Sequence, residues 1–257
     1  MLAELFDLIP PWALLTAGLV AFVAGIVKGA IGFALPLIIM SGLSLFLEPL
    51  IAVAGVILPA LVSNLLQVSR HPIAEARATI WDFRRYVLLV CIMILIVAQF
   101  VKLVPEQVFY LVLGVPVLAL SIIQLSGVRL VIPPQRRRMA EWLVGGLAGT
   151  MGGFTGTWGP PTVLYLMALD TPKSRQMLIQ GVIYSLGSVS LLVGHITSGV
   201  FTWATATFSA VLLVPTFLGM RVGFWVGDRL DAELFRKATL IVLIVAGANL
   251  VRRGLFG

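Results

Sequence analysis

Eight long apolar stretches constrain this sequence more than any other feature. Most of them hold the roughly 20 apolar residues that one helix needs to cross a bilayer. Only 11% of the residues are charged, against about a quarter in a soluble domain, so a water-facing surface could not be covered. The sequence therefore predicts an all-α polytopic membrane protein. The stretches run at about 12–47, 49–69, 86–104, 107–125, 141–169, 175–197, 203–226 and 234–251.

The first and fifth stretches are too long for one simple helix, and both contain glycine and proline in the middle. This pattern indicates an internal duplication, in which each half has one Gly/Pro-broken segment followed by three membrane helices. The halves are residues 1–128 and 141–257, joined by a basic linker at 129–140. Four residues of the first stretch recur 124 residues later in the fifth: Gly25 as Gly149, Gly29 as Gly153, Gly32 as Gly156, and Pro36 as Pro160.

The distribution of lysine and arginine between the loops tests how the broken segments cross. If each broken segment crosses once, ten basic residues lie on one side of the membrane and six on the other. If each broken segment enters and returns to the same side, thirteen basic residues lie on one side of the membrane and three on the other. Because cytoplasmic loops carry the excess of basic residues, the second arrangement is favoured. It predicts inverted repeats in a bacterial inner membrane, with Met1 and Gly257 both periplasmic.

Other features of the sequence exclude several classes of function. The net charge of +7 comes mostly from short loops between apolar runs, so it does not indicate a nucleic-acid partner. We find no Walker loop, no His-Glu-x-x-His motif and no cysteine cluster, and we expect neither a cofactor nor a metal. Almost no acidic residue lies in the membrane runs, which favours an anion over a cation as cargo. The sequence leaves open whether the chain works alone or as a homo-oligomer.

The two broken motifs are candidate anion sites. Glycine permits unusual backbone angles and proline ends the preceding helix, so both motifs predict unwound backbone inside the membrane. Such backbone must line a cavity or be buried in protein. A helix that restarts after the break directs free N–H groups and the positive end of its dipole at the cavity. The alternative is that these glycines only allow close helix packing.

Lys28 lies in the first motif, well inside an apolar run. A lysine at a helix centre costs roughly 2.5–3.5 kcal/mol on insertion scales, so it should face water, a partner or a ligand. The alternative is a side chain that snorkels to the interface. For Arg221, within a glycine-rich packing stripe, snorkelling is the favoured interpretation.

Polar side chains recur in the run that follows each broken segment. Neutral donors of this kind can bind oxyanions, although interhelical hydrogen bonds are the common alternative. His71 and His195 lie near segment ends, where an interfacial position is favoured over a proton relay. The candidate cargo-binding residues are Lys28, Gly29, Gly32, Pro36, Asn64, Gln67, Thr155, Gly156, Thr157, Trp158, Gly159, Pro160, Gln180 and Tyr184.

The two motifs resemble those of the sulfite exporter TauE/SafE family, also called the 4-toluene sulfonate uptake permease family. The resemblance covers Gly25 to Pro36, Gly149 to Pro161, and Leu218 to Leu230, with Ser63-Asn64-Leu-Leu-Gln67 between them. The first motif departs from the family's triple glycine, since Phe33-Ala34-Leu35 follows Gly32. The resemblance implies a duplicated four-segment fold and transport of sulfite, sulfonates or related sulfur oxyanions.

The leading hypothesis is therefore a secondary transporter of a small anion, exporting sulfite or an organosulfonate. An importer, or a carrier of another small anion, is the alternative within transport. A membrane-embedded enzyme would need clustered His, Asp or Glu side chains on facing helices, and the sequence offers no such cluster. An accessory subunit would have no use for two broken helices.

Overall fold

The computed structural model describes residues 9–103, 105–127 and 131–256, and every regular element within them is helical. The all-helical prediction is therefore confirmed for this part of the chain. The first half contains α1 (Pro11–Ile31), α2 (Leu35–Leu43), α3 (Pro49–Val68), α4 (Ile73–Asp82), α5 (Arg84–Ala98) and α6 (Glu106–Leu125). The second contains a 3₁₀ turn (Pro134–Arg136), α7 (Arg137–Thr155), α8 (Gly159–Ala168), α9 (Lys173–Thr197), α10 (Trp203–Val211), α11 (Leu213–Gly227) and α12 (Ala232–Phe256).

Five of the described helical segments are long and apolar enough to cross a bilayer. Their outward faces are apolar as well; on α1, Leu15 is 75% exposed and Leu19 is 69% exposed. Side chains of this kind, repeated around the molecule, need hydrocarbon rather than water beside them. This is a multi-pass membrane protein. The five segments are Pro11–Ile31, Pro49–Val68, Lys173–Thr197, Trp203–Gly227 and Glu233–Phe256.

The helix boundaries differ from the sequence expectation in three places. The polar stretch at 70–85 contains α4, whose buried side chains are Ala76 and Thr79 while most of its surface is exposed. The linker at 129–140 is partly helical because α7 already begins at Arg137. The third stretch, 86–104, leaves the helix at Ala98. Both chain ends, Met1 and Gly257, and linker residues 129 and 130 lie outside the described residues.

Both long apolar stretches leave the helix where glycine and proline predict. Gly32 follows α1 in the left-handed conformation, with φ of 82°, and its N–H donates to the Lys28 carbonyl. Gly156 follows α7 with φ of 69° and donates in the same way to Gly152. In the first break Ala34 also has a positive φ, 73°, which costs a non-glycine residue roughly 1–2 kcal/mol.

After each break the chain turns back on itself. A Cβ added to Gly42 in α2 would lie 2.6 Å from Val20 Cγ1 in α1, so α2 folds back along α1. In the second half the N–H of Ile132, which precedes α7, donates to the Ala168 carbonyl at the end of α8 at 2.9 Å. Each broken segment is therefore a helical hairpin.

The first helix of each half packs against a helix of the other half. On α1 and α11 the backbones touch: a Cβ at Gly25 would overlap the Thr216 carbonyl, and one at Gly223 would overlap the Ile26 carbonyl. Gly153 of α7 meets α5 equally closely, since its Cβ would lie 2.9 Å from the Ile94 carbonyl oxygen. The glycine stripes thus bind the two halves to each other.

Helices at equivalent positions of the two halves run antiparallel where they meet. Between α3 and α9, Asn64 contacts Ser188 while Gln67 contacts Met177, so the numbering rises on one helix as it falls on the other. Between α6 and α12, Gly114 lies against Val251 and Gly254 lies against Leu111. Asn64 and Ser188 are themselves 124 residues apart, the same offset that relates the glycines and prolines of the two breaks.

Candidate anion-binding site

A small cavity lies where the two breaks meet. We call it the central cavity, and at about 20 Å³ it has room for little more than one water molecule. Eight of the fourteen candidate residues line it, so the structure brings together the larger part of the set. The lining consists of Lys28, Phe33, Ala34, Pro36, Asn64, Thr157, Trp158, Gly159, Pro160 and Tyr184.

Lys28 is buried in the wall of the central cavity, with 2% of its surface exposed. Snorkelling is therefore the wrong interpretation for this side chain. Its ammonium donates to the Gly32 carbonyl at 2.9 Å and to Asn64 Oδ1 at 2.6 Å, and it lies 5.0 Å from the centre of the Tyr184 ring. The ion pairs found among the described residues do not include Lys28. A buried lysine thus has only neutral hydrogen-bond partners here.

Asn64 holds Lys28 in place from α3. Its Oδ1 accepts from Lys28, while its Nδ2 donates to the Tyr184 carbonyl at 3.1 Å and to Ser188 Oγ at 2.7 Å. These three hydrogen bonds use both N–H groups of the amide. Asn64 therefore makes the interhelical hydrogen bonds weighed as the alternative to cargo binding, and through Oδ1 it also contacts the lysine.

The second break supplies aromatic and hydroxyl groups to the central cavity. The Tyr184 hydroxyl donates to the Gly159 carbonyl at 3.1 Å, and the Thr157 hydroxyl donates to the Thr155 carbonyl at 3.3 Å. Trp158 is 2% exposed, and its Nε1–H finds no hydrogen-bond acceptor among the described residues. Gly187 on α9 makes room for that indole ring, 3.0 Å from where a Cβ would stand. Trp158 Nε1–H is thus a buried donor left without an acceptor.

Four other candidate residues lie at or next to the breaks and do not line the central cavity. Gly32 and Gly156 are the left-handed caps, and Gly29 packs on α11, where its Cβ would lie 2.5 Å from the Met220 carbonyl oxygen. The Thr155 hydroxyl donates back to Met151 at 2.9 Å within α7. For Gly29, the packing role that was left open as an alternative is the one observed.

Gln67 and Gln180 form a separate polar pair beside Gly32. Gln67 Nε2 donates to the Met177 carbonyl at 2.7 Å, whereas its Oε1 has no partner among the described residues. Gln180 is fully buried, and neither polar atom of its amide has a partner in the described part of the chain. The pair lies between the central cavity and a wider opening that Gln67 also lines.

Two wider openings flank the central cavity at opposite ends of the fold. The first, here the basic vestibule, has a volume of about 350 Å³ and is lined by Gln67, Arg70, His71, Lys173 and Asp228 among others. The second, here the distal vestibule, has about 310 Å³ and is lined by Glu48, Lys102, Tyr110, Phe154 and Thr155 among others. The basic vestibule carries the larger share of positive side chains.

Side-chain hydrogen bonds link helices to one another at both ends of the fold. At the basic end, Arg70 on α3 binds both carboxylate oxygens of Asp228 after α11, at 3.0 and 2.7 Å. At the distal end, Gln99 after α5 donates to the Thr197 hydroxyl on α9 at 3.0 Å and to the Gly194 carbonyl at 3.3 Å. The first link joins the end of α3 to the end of α11, and the second joins the end of α9 to the end of α5. Only the link at the basic end is charged.

His71, His195 and Arg221 all lie outside the central cavity. His71 lines the basic vestibule near the end of α3, as expected of an interfacial residue. His195 lies near the end of α9 and is fully buried, so its side chain faces other helices rather than the surroundings of the protein. Arg221 is exposed, 6.0 Å from the Phe217 ring, and takes no part in the cavity.

Sequence reasoning missed Phe33, Ala34 and Ser188. Phe33 lies 3.6 Å from where a Cβ of Gly159 would stand, and therefore joins the two breaks. Ser188 accepts from Asn64 on the opposite half. The repeat offset of 124 residues could have identified Ser188, because it is the counterpart of Asn64.

Comparison with known proteins gives one family assignment. Residues 17–250 match the family model described as Sulfite exporter TauE/SafE. The matched range contains both breaks and every residue that lines the central cavity. No curated protein and no solved structure matches the chain.

Proposed function

The chain belongs to the sulfite exporter TauE/SafE family, and from that premise we propose that it is a secondary transporter that exports sulfite or an organosulfonate. The observation that carries the proposal is the meeting of two broken helices around a buried lysine whose partners are all neutral. The cargo would bind in the central cavity. The family assignment also favours a transporter over a membrane-embedded enzyme.

The groups around the central cavity are of the kind that binds an oxyanion. Lys28 contributes a positive charge, and Trp158 contributes an N–H donor that is buried and unpartnered. The first turns of α2 and α8 reach the cavity through Pro36 and Gly159, and the N-terminal end of a helix favours negative charge. A hydrogen bond that involves an ionised group contributes about 1.5–3 kcal/mol, so these groups suffice for specific binding.

The central cavity must widen before an oxyanion can bind. A volume of about 20 Å³ holds one water, whereas sulfite has four heavy atoms. The structure therefore represents an occluded form in this proposal. Transport would alternate between opening toward the basic vestibule and opening toward the distal vestibule.

We further propose that the halves form an inverted repeat about an axis through Asn64 and Ser188. The antiparallel course of α3 with α9 and of α6 with α12 supports it, as does the thirteen-to-three distribution of basic residues. Single cysteines at Leu103 and Ser126, in a Cys91→Ser background, test the topology. An impermeant thiol reagent should label position 126 only from the cytoplasm and position 103 only from the periplasm, and labelling of both from one side contradicts the proposal.

The basic vestibule supports export as the direction. Basic residues accumulate on the cytoplasmic side of membrane proteins, so the end that holds Arg70 and Lys173 would face the cytoplasm of a bacterial inner membrane. A positively lined opening concentrates anions near its mouth. Anions would therefore load from the cytoplasm, and the less basic distal vestibule would release them.

Flux measurements in liposomes test the proposed function. Lys28→Met should reduce sulfite or sulfonate flux at least about tenfold, because a hydrogen bond that involves an ionised group contributes about 1.5–3 kcal/mol. Lys237→Met is the matched control, since Lys237 is an exposed lysine on α12 paired with Glu233. Flux should be normal in the control. Unchanged flux in Lys28→Met, or no flux of these anions in the unmodified protein, contradicts the proposal.

A further inference from the structure

We propose that the central cavity accepts singly charged oxyanions, hydrogensulfite or a sulfonate, and rejects doubly charged ones such as sulfate. This inference rests on the proposed transport function and goes beyond it by specifying the charge of the cargo. It follows from a count of the charges that surround the cavity and from the geometry of its one lysine.

Lys28 is the one fixed charge among the side chains that line the central cavity. Tyr184 is the other titratable group in the lining, and its hydroxyl donates to the Gly159 carbonyl. The helices that form the walls contribute little else: α2, α3 and α8 contain no Asp, Glu, Lys, Arg or His, and α1 contains only Lys28. On α9 the charged side chains Lys173 and Arg175 lie in the first turn, and His195 lies near the last.

A site enclosed by membrane helices tolerates little net charge, because burying an unpaired ion is costly. One ammonium and one monoanion cancel. A dianion in the same place leaves one negative charge uncompensated, with no second cation in the described part of the cavity wall to meet it. The other donors available, such as Trp158 Nε1–H, are neutral and can orient an anion but cannot balance its charge.

The hydrogen bonds of Lys28 leave one position for the cargo. A protonated lysine has three N–H donors, and two of them already reach Gly32 O and Asn64 Oδ1. The remaining one is available to a single oxyanion oxygen. Those two acceptors are neutral, as is the Tyr184 ring that the ammonium faces, so the anion that binds at the third N–H supplies the counter-charge of the lysine.

The duplicated half offers no second cation. The counterpart of Lys28 is Gly152, where an added Cβ would lie 3.0 Å from Trp158 Cε3 and 2.9 Å from Ile94 Cγ1. The indole ring therefore occupies the space that a second lysine would need. The asymmetry between the halves fixes the charge of the site at one.

Binding of two nearly isosteric probes to the purified protein tests the inference. Methanesulfonate is a monoanion across the accessible pH range, and sulfate is a dianion of similar tetrahedral shape. We expect methanesulfonate to raise the melting temperature in a saturable manner, and sulfate to bind at least about tenfold more weakly. Apparent sulfite affinity should fall from slightly acidic to slightly alkaline pH as hydrogensulfite ionises, while methanesulfonate affinity stays constant.

Two variants connect the selectivity to Lys28. Lys28→Arg keeps one positive charge and should keep the preference for methanesulfonate, even if both probes bind less well. Lys28→Met should lose methanesulfonate binding. Sulfate that binds as tightly as methanesulfonate, or sulfite affinity that rises with pH, overturns the inference while Lys28-dependent flux leaves the proposed function standing. Absence of flux for every anion overturns the proposed function instead.

Discussion

At the scale of single residues, the site depends on a lysine whose neighbours are fixed by one asparagine. Sequence patterns identified Lys28 because a charge inside an apolar run is conspicuous. They could not show that Asn64 lies 2.6 Å from it, since this contact joins positions 36 residues apart on different helices. The roles of glycines are equally hard to separate, because Gly29 at a helix contact and Gly32 at a helix end carry the same sequence signal.

Asn64→Asp places a carboxylate where the amide oxygen now accepts from Lys28. An internal carboxylate would compensate the ammonium permanently, so the site would no longer need an anion. We expect affinity for methanesulfonate to fall at least about tenfold, in line with the loss of one charge-assisted hydrogen bond. Calorimetric titration measures the change, and a normal elution profile on gel filtration establishes that the variant is folded. Affinity equal to that of the unmodified protein would rule out Lys28 as the anion's counter-charge.

At the scale of elements, the positions of the breaks were predictable and the packing around them was not. Glycine at 32 and 156 with proline four residues later is local chemistry, and the helices end there. Helix α4 was missed because its ten residues are too few for a membrane crossing, and the four polar residues among them break up the apolar pattern. The packing of α1 against α11 could not be predicted either. The glycine stripe at Gly219 and Gly223 indicates a close helix contact, but it does not identify the other helix.

A pair of glycine-to-alanine variants tests the contact between α1 and α11. In Gly223→Ala the new methyl would overlap the Ile26 carbonyl, so the helices must separate, and we expect a loss of about 1–3 kcal/mol in stability. Gly146→Ala is the matched control within α7, where the nearest atom, in Leu89, would be 4.0 Å away. Alanine there should be neutral or stabilising by up to about 1 kcal/mol. Thermal unfolding in detergent compares the two, and equal melting temperatures would contradict the packing described.

At the scale of the whole molecule, the two ends of the fold are held together by unequal links. Arg70 and Asp228 form a two-pronged ion pair, whereas the equivalent link at the other end is the neutral side chain of Gln99. Both residues of the ion pair are more than a third exposed, so the pair contributes about 1 kcal/mol at most. That is sufficient to bias which end opens, although too little to lock it.

Asp228→Asn should therefore open the basic vestibule more often. A cysteine at Met177, which lines that vestibule, reports the opening in a Cys91→Ser background. We expect labelling from the side of Arg70 to accelerate by up to about fivefold, the factor that corresponds to about 1 kcal/mol. Glu233→Gln removes the same charge from an exposed pair within α12 and should leave the rate unchanged. Equal labelling rates in both variants would show that the ion pair does not hold the vestibule closed.

The exchange of partners between the halves has a consequence for how the chain is made. Helix α1 lies on α11, whose first residue is synthesised almost two hundred residues later. Until α11 has been made, the glycine face of α1 has no helix to pack against. The first helical hairpin therefore lies in the bilayer without its partner for most of translation. The packing of α1 can therefore be completed only after α11 has been synthesised, near the end of translation.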